Sequence, residues 1–139
     1  MEKLMTLEDA HRMFKEIIQE EKLEFNIVYL GYLEEKKDMS LGIYEPNENG
    51  NEIFFGGIDN SEIKTINISL LLHGNTSQRE TQERALELFQ VLEENLYGFD
   101  FDNWTIYRLY TVENRPVYVG MDKRGIHEYV INVQIIYKI

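Results

Sequence analysis

The run Glu128-Tyr129-Val130-Ile131-Asn132-Val133-Gln134-Ile135-Ile136-Tyr137-Lys138-Ile139 closes the chain and settles how it folds. In an extended backbone, Tyr129, Ile131, Val133, Ile135, Tyr137 and Ile139 share one face, and Asn132, Gln134 and Lys138 occupy the other. A strand patterned this way packs one side against helices and keeps the other polar, as antiparallel sheets commonly do. Just upstream, Asp122-Lys123-Arg124-Gly125 has turn chemistry and joins it in a hairpin to a strand over Pro116–Met121. Trp104–Val112 supplies another strand, so the last third reads as a three-stranded meander.

Toward the N-terminus, Lys64–His73 alternates in the same manner, with Ile66, Ile68, Leu70 and Leu72 opposed to Thr65, Asn67 and Ser69. Between these strands, Ser77-Gln78-Arg79-Glu80 has capping-box spacing, in which a hydroxyl and a carboxylate satisfy amides that the first helical turn leaves unpaired. Thr81, Ala85, Leu88, Phe89, Leu92 and Leu96 then form one helical stripe, with Gly98 as its stop. Thr6-Leu7-Glu8-Asp9 caps an earlier helix whose apolar face is Ala10, Met13, Phe14, Ile17 and Ile18, ending near Glu21. Phe25–Leu33 and Met39–Tyr44, joined by a charged turn at Glu34–Asp38, read as an antiparallel hairpin. The order predicts an α+β fold: an antiparallel or mixed β-sheet with two α-helices packed on one face, in a single domain over 1–139.

Composition narrows the function. The chain of 139 residues is 43% hydrophobic with only 2 Pro, which suits a packed core. It has no cysteine, which excludes disulfides, thiolate metal sites and cysteine nucleophiles. The start Met1-Glu2-Lys3-Leu4-Met5 lacks the apolar core of a signal peptide, and no run reaches membrane-spanning length, so synthesis inside the cell and no membrane partner are expected. A net charge of −11 disfavours tight binding to nucleic acid, whose affinity comes from cations on phosphate. Taken alone the charge reads as a solvated acidic surface, and it is also compatible with a channel through which DNA slides without sticking.

Catalytic signatures are missing. His11, His73 and His127 lie in separate elements without metal-ligand spacing and read as surface or edge histidines. No G-x-S-x-G elbow occurs, and Ser40, Ser61, Ser69 and Ser77 have strand, turn or capping roles. Gly56-Gly57 is followed by no phosphate-loop lysine. Trp104, Tyr107, Tyr110 and Tyr118 have only Arg108 and Arg115 as cationic company, which fits core or subunit packing better than base stacking. No catalytic residue, cofactor or metal is therefore expected. The exception to bland reading is Ile53-Phe54-Phe55-Gly56-Gly57-Ile58, apolar yet outside any amphipathic element. Such a segment either folds back on its own domain, the commoner outcome, or meets another molecule, and Phe54, Phe55 and Ile58 are its candidates for subunit or partner contact.

The segment from Arg115 to Val133, with a Pro-containing strand, Gly120-Met121-Asp122, a turn at Gly125 and an aromatic-rich strand bearing Asn132, resembles the closing motif of tailed-phage minor capsid proteins. Ile66-Asn67-Ile68-Ser69-Leu70 and the helix after Ser77 resemble the same family, so the likeness covers about residues 64–139 and more loosely the N-terminal helix and hairpin. It implies a tail-terminator or tail-completion fold, as also found in phage-tail-like bacteriocins. It further implies a homo-oligomeric, commonly hexameric ring that ends tube growth, with the tail tube protein and neck or head-completion proteins as partners and DNA as passing cargo. The implied location is the virion or tail-like particle, assembled in the bacterial cytoplasm. A head-proximal minor capsid or adaptor role is the nearest alternative, and a small-ligand-binding or hydrolytic α+β domain the alternative of another class.

Overall fold

A computed structural model describes residues 3–31, 37–46, 63–95 and 97–139. Along the chain these form α1 (Leu7–Glu20), β1 (Val28–Leu30), β2 (Ser40–Tyr44), β3 (Ile63–His73), α2 (Gln78–Glu94), β4 (Tyr97–Phe101), β5 (Trp104–Thr111), β6 (Val117–Met121) and β7 (His127–Lys138). One mixed sheet runs β1-β2-β3-β7-β5-β4, with β6 also paired to β7.

β7 is the centre. β3 pairs antiparallel along almost all of it, from Ile63 opposite Lys138 to His73 opposite Glu128. Its other side is shared between two strands: β5 takes Val133–Lys138 and β6 takes His127–Val130. The predicted meander is therefore corrected, because β5 and β6 do not pair with each other. The Val112 amide donates to the Asn132 carbonyl at 3.0 Å, carrying the chain along the flank of β7 from one half to the other.

The predicted N-terminal hairpin is also corrected: β1 and β2 are parallel, with Val28 opposite Leu41 and Leu30 opposite Ile43. Asn26 explains the direction. Its amide donates to the Met39 carbonyl at 2.8 Å and its side chain to the Asp38 carbonyl at 2.6 Å, which holds the beginnings of both strands together. Leu41 N–H then donates to Ile27 O and Gly31 N–H to Ile43 O, as parallel pairing requires.

Both helices start as predicted and bury the expected stripes. Thr6 and Asp9 form the full reciprocal cap of α1, and Ala10, Met13, Phe14, Ile17 and Ile18 are buried. At α2 the Ser77 hydroxyl accepts from the Glu80 amide at 3.2 Å, but the return half of the box is replaced by Asn75. The Asn75 side-chain Oδ1 accepts from the Ser77 backbone amide at 2.8 Å, and Asn75 Nδ2 donates to the Glu80 carboxylate instead. The helix ends at Asn95, whose side chain donates to Val91 O at 2.8 Å; Gly98 is not its stop but lies within β4. Leu96 lies outside the described residues.

The core joins α1 and α2 to one face of the sheet, including Leu41, Ile43, Ile68, Leu70, Ile106, Leu109 and the predicted face of β7. The N-terminal segment locks across it. Met5 N–H donates to the Tyr137 hydroxyl at 3.0 Å, and the Trp104 indole N–H donates to Lys3 O at 2.9 Å. Burial raises the Tyr137 phenol above its ordinary range. α1 also ties the two ends of the sheet: His11 Nε2 donates to Val28 O at 2.9 Å, and Arg12 spans Asp9 at 2.8 Å and Asp102 at 3.0 Å.

The opposite face of the sheet is polar, as expected, but partly closed. Ser69 Oγ donates to Asn132 Oδ1 at 2.6 Å, Gln134 Nε2 to Asn67 Oδ1 at 3.0 Å, and Asn132 Nδ2 to Glu113 Oε1 at 2.9 Å. Ser69, Gln134 and Ile136 are buried there rather than solvated.

At the β3–α2 junction, Gly74 leaves its side-chain space to Thr81, whose atoms sit where a Cβ would stand. Thr81 is fully buried, with Oγ1 donating to Ser77 O at 2.8 Å and accepting from Asn75 N–H at 3.1 Å. Gly74→Ala is therefore expected to lower unfolding stability by about 1–3 kcal/mol, the range for overpacking. Urea denaturation checks this against Glu83→Ala, an exposed control expected within about 0.5 kcal/mol of the parent.

Candidate assembly interface

β6 reads Val117-Tyr118-Val119-Gly120-Met121 and is exposed along its length. Of the eight large apolar residues standing exposed among the described residues, five fall between 112 and 121: Val112, Val117, Tyr118, Val119 and Met121. Met121 and Val119 are the most exposed of these five, at 61% and 56%. Among the described residues β6 pairs only with β7, so its far edge presents unpaired backbone N–H and C=O groups. A register shift between Tyr118 and Gly120, with Gly120 at φ +123°, bends the strand into a bulge that only glycine adopts easily.

The hairpin beneath this edge is firmly anchored. Asp122 Oδ1 accepts from the amides of Arg124 at 2.8 Å and Ile126 at 3.0 Å, and Gly125 N–H donates to Asp122 O with Gly125 at φ +79°. Tyr118 lays its ring on Tyr129, with centroids 5.1 Å apart, and its hydroxyl pairs with His127 Nδ1 at 2.8 Å. His127 in turn exchanges backbone bonds with the β3–α2 junction: Gly74 N–H to His127 O at 2.9 Å and His127 N–H to Asn75 O at 3.0 Å.

The histidines correct the surface reading. His73 is fully buried, and its Nδ1–H donates to Glu128 Oε2 at 3.0 Å while Nε2 stands 3.9 Å from Asp122 Oδ2. His127 is buried as well. These groups staple the hairpin to β3. A fully covered imidazole has no route to a substrate, and among the described residues no cluster of three His, Asp or Glu has metal-binding geometry. Trp104 belongs to the core, stacked 6.4 Å from Phe101, whereas Tyr118 is on the exposed edge. Phe54, Phe55 and Ile58, the residues singled out from sequence, fall outside the described residues.

Sequence reasoning placed β6 but missed its exposure. The signal was present: Val117, Tyr118, Val119 and Met121 are apolar at both parities, where a half-buried strand alternates.

A family model described as bacteriophage tail terminator protein matches residues 6–139, nearly the whole chain. The chain belongs to the bacteriophage tail terminator family. The α+β architecture, with two helices against a mixed sheet, accords with that fold. Membership gives this tail terminator a structural, non-enzymatic role in virion assembly, in contact with tail tube and head-completion proteins, and displaces the ligand-binding or hydrolytic alternative. No curated protein matches the chain.

The fold favours the ionised form of Asp122, in the hairpin that carries the exposed edge of this tail terminator. The Ile126 amide holds the Asp122 carboxyl below its ordinary value, against an opposing desolvation, with the Arg124 amide and the charges of His73 and Arg124 assisting. A depressed carboxyl stabilises the folded state fully above about pH 4 and loses that contribution as pH falls through the lower folded value. Amide exchange of the 122–126 turn is expected to accelerate over that acid window, and Asp122→Asn is expected to flatten the dependence.

Proposed function

We propose that this chain, acting as a single α+β domain, is the terminator that closes the end of a tail tube as a ring of identical subunits, six by analogy with the family it resembles. The ring joins the tube to the neck or head-completion proteins of a phage or phage-tail-like particle assembled in the bacterial cytoplasm. The observation that supports it best is β6: a family member presents an exposed, apolar sheet edge that, among the described residues, pairs only with β7, the kind of edge a subunit of an assembly uses and a monomer avoids.

Ring closure requires heterologous contacts, in which one surface of each subunit meets a different surface of the next. The net charge of −11 favours a lumen that DNA passes without adhering, because phosphate finds few cations to hold it. Phe54, Phe55 and Ile58 are the proposed second surface, contacting a neighbouring subunit or the tube.

Phe54→Asp with Phe55→Asp is expected to leave a folded monomer that forms no rings by mass photometry and caps no tails by electron microscopy. Rings and normal-length tails from that double variant refute the role given to these residues.

A further inference from the structure

β1 and β6 stand at the same height on opposite edges of the sheet. One row of paired residues runs Val28, Leu41, Leu72, Tyr129, Tyr118 and the next Tyr29, Gly42, Leu71, Val130, Val117, each crossing β1, β2, β3, β7 and β6 in turn. The first step of the row is parallel and the other three are antiparallel, so β1 runs opposite to β6. A ring whose axis follows the strands preserves their direction from copy to copy. The β6 of one subunit then meets the β1 of the next in antiparallel sense and from opposite flanks, as a heterologous contact requires.

Backbone alternation aims both edges outward at matching places. Leu41 N–H donates to Ile27 O and Gly31 N–H to Ile43 O, so the odd-numbered residues of this stretch bond inward to β2, and the N–H and C=O of Val28 and Leu30 point away. His11 takes the Val28 carbonyl, whereas no described strand pairs with Leu30 on that side. On β7, His127 exchanges its bonds with Gly74 and Asn75, so Tyr129 also turns away from β6 and Val130 turns toward Val117. Tyr118, opposite Tyr129, therefore directs its own N–H and C=O outward. Leu30 and Tyr118 lie in rows with core residues, Leu30 with Ile43, Leu70 and Ile131 and Tyr118 with Tyr129, Leu72 and Leu41, yet they are 48% and 42% exposed. Charge agrees: in antiparallel sense Lys123, just past β6, comes beside the start of β1, where Glu24 is exposed. Other edges fit less well. β4 lies on the same flank of β7 as β6, so joining those two closes a pair of copies and no ring. β6 against β6 across a two-fold turns Arg115 of each copy toward Lys123 of the other, like charge to like.

We infer that the outer edge of β6 pairs antiparallel with β1 of the neighbouring copy, Tyr118 opposite Leu30, so that one sheet continues from subunit to subunit. This rests on the ring proposed above and names the edges that close it, without involving Phe54, Phe55 or Ile58. Backbone bonds between Tyr118 and Leu30 supply affinity, the joined sheet covers both side chains, and Lys123 beside Glu24 fixes the direction.

The chain has no cysteine, so introduced thiols are unique. Within one subunit β1 and β6 are four strand spacings apart, about 19 Å, which a shorter bismaleimide does not span. Leu30→Cys and Val119→Cys, made separately and mixed, are expected to give a cross-linked dimer with such a reagent, and the double variant a ladder extending to the ring. Glu83→Cys replaces Val119→Cys in the control mixture and is expected to give none. Rings by light scattering without the 30–119 cross-link overturn this contact and leave the ring standing. So does a Val119–Val119 dimer as the main product. Unmodified protein that forms no ring, alone or with tail tubes, overturns the ring and this contact together. Charge reversal gives an independent reading: Lys123→Glu is expected to weaken assembly by at least about tenfold, and Glu24→Lys added to it to restore assembly. Failure of that restoration, with all variants folded by circular dichroism, also counts against the contact.

Discussion

The architecture hangs on β7 being paired on both sides at once. A strand with neighbours on each flank has its backbone groups satisfied within the sheet, so its side-chain alternation alone determines which face is wet. Tyr129, Ile131, Val133, Ile135 and Tyr137 point into the core, and a slip of one residue would exchange them for Asn132, Gln134 and Lys138. That register is enforced along eleven pairs with β3, and the helices then cover whichever face β7 makes apolar. The N-terminal segment completes the closure by bonding to Tyr137 and Trp104 at the far end of the same sheet.

What was readable in the sequence follows from this. The core stripes of α1 and α2, the length of β3, the 122–125 turn and the inward face of β7 each rest on a local period or a cap, and the structure keeps all of them. The parallel β1–β2 pair was unreadable because its direction is set by Asn26 reaching the 38–39 carbonyls, a contact with no periodic trace. The division of β7 between β5 and β6 was hidden similarly: adjacent strands joined by a short connection ordinarily pair, and here each pairs with a third. β4 was missed although Phe99 and Phe101 alternate with Gly98 and Asp100, because Gly98 had already been spent as a helix stop. The burial of His73 was also beyond a local reading, since Glu128 and Asp122 approach it only through β3–β7 pairing and the hairpin turn.

The site itself was only half legible. Exposure is a property of the whole surface, and β6 reads from sequence as an ordinary hairpin strand. Its uniform apolarity is the anomaly, and it acquires meaning only once the structure shows nothing lying over it among the described residues.

Sheet edges in soluble proteins are usually blunted by brevity, charge or a covering element, and this chain applies such devices unevenly. β1 is three residues long, and His11 from α1 satisfies its Val28 carbonyl. β4 carries Asp100 in its span and Asp102 just beyond it, the latter held by Arg12. β6 has none of these within its span: it is five residues long, uncharged and apolar, with its cations placed only beyond its ends. The chain's strong negative charge keeps free subunits apart through mutual repulsion, and the basic flanks of β6 are the local exception to it. An edge left unpaired among the described residues while its counterparts are blunted, and framed by the charge opposite to that of the rest of the molecule, has the character of a contact surface.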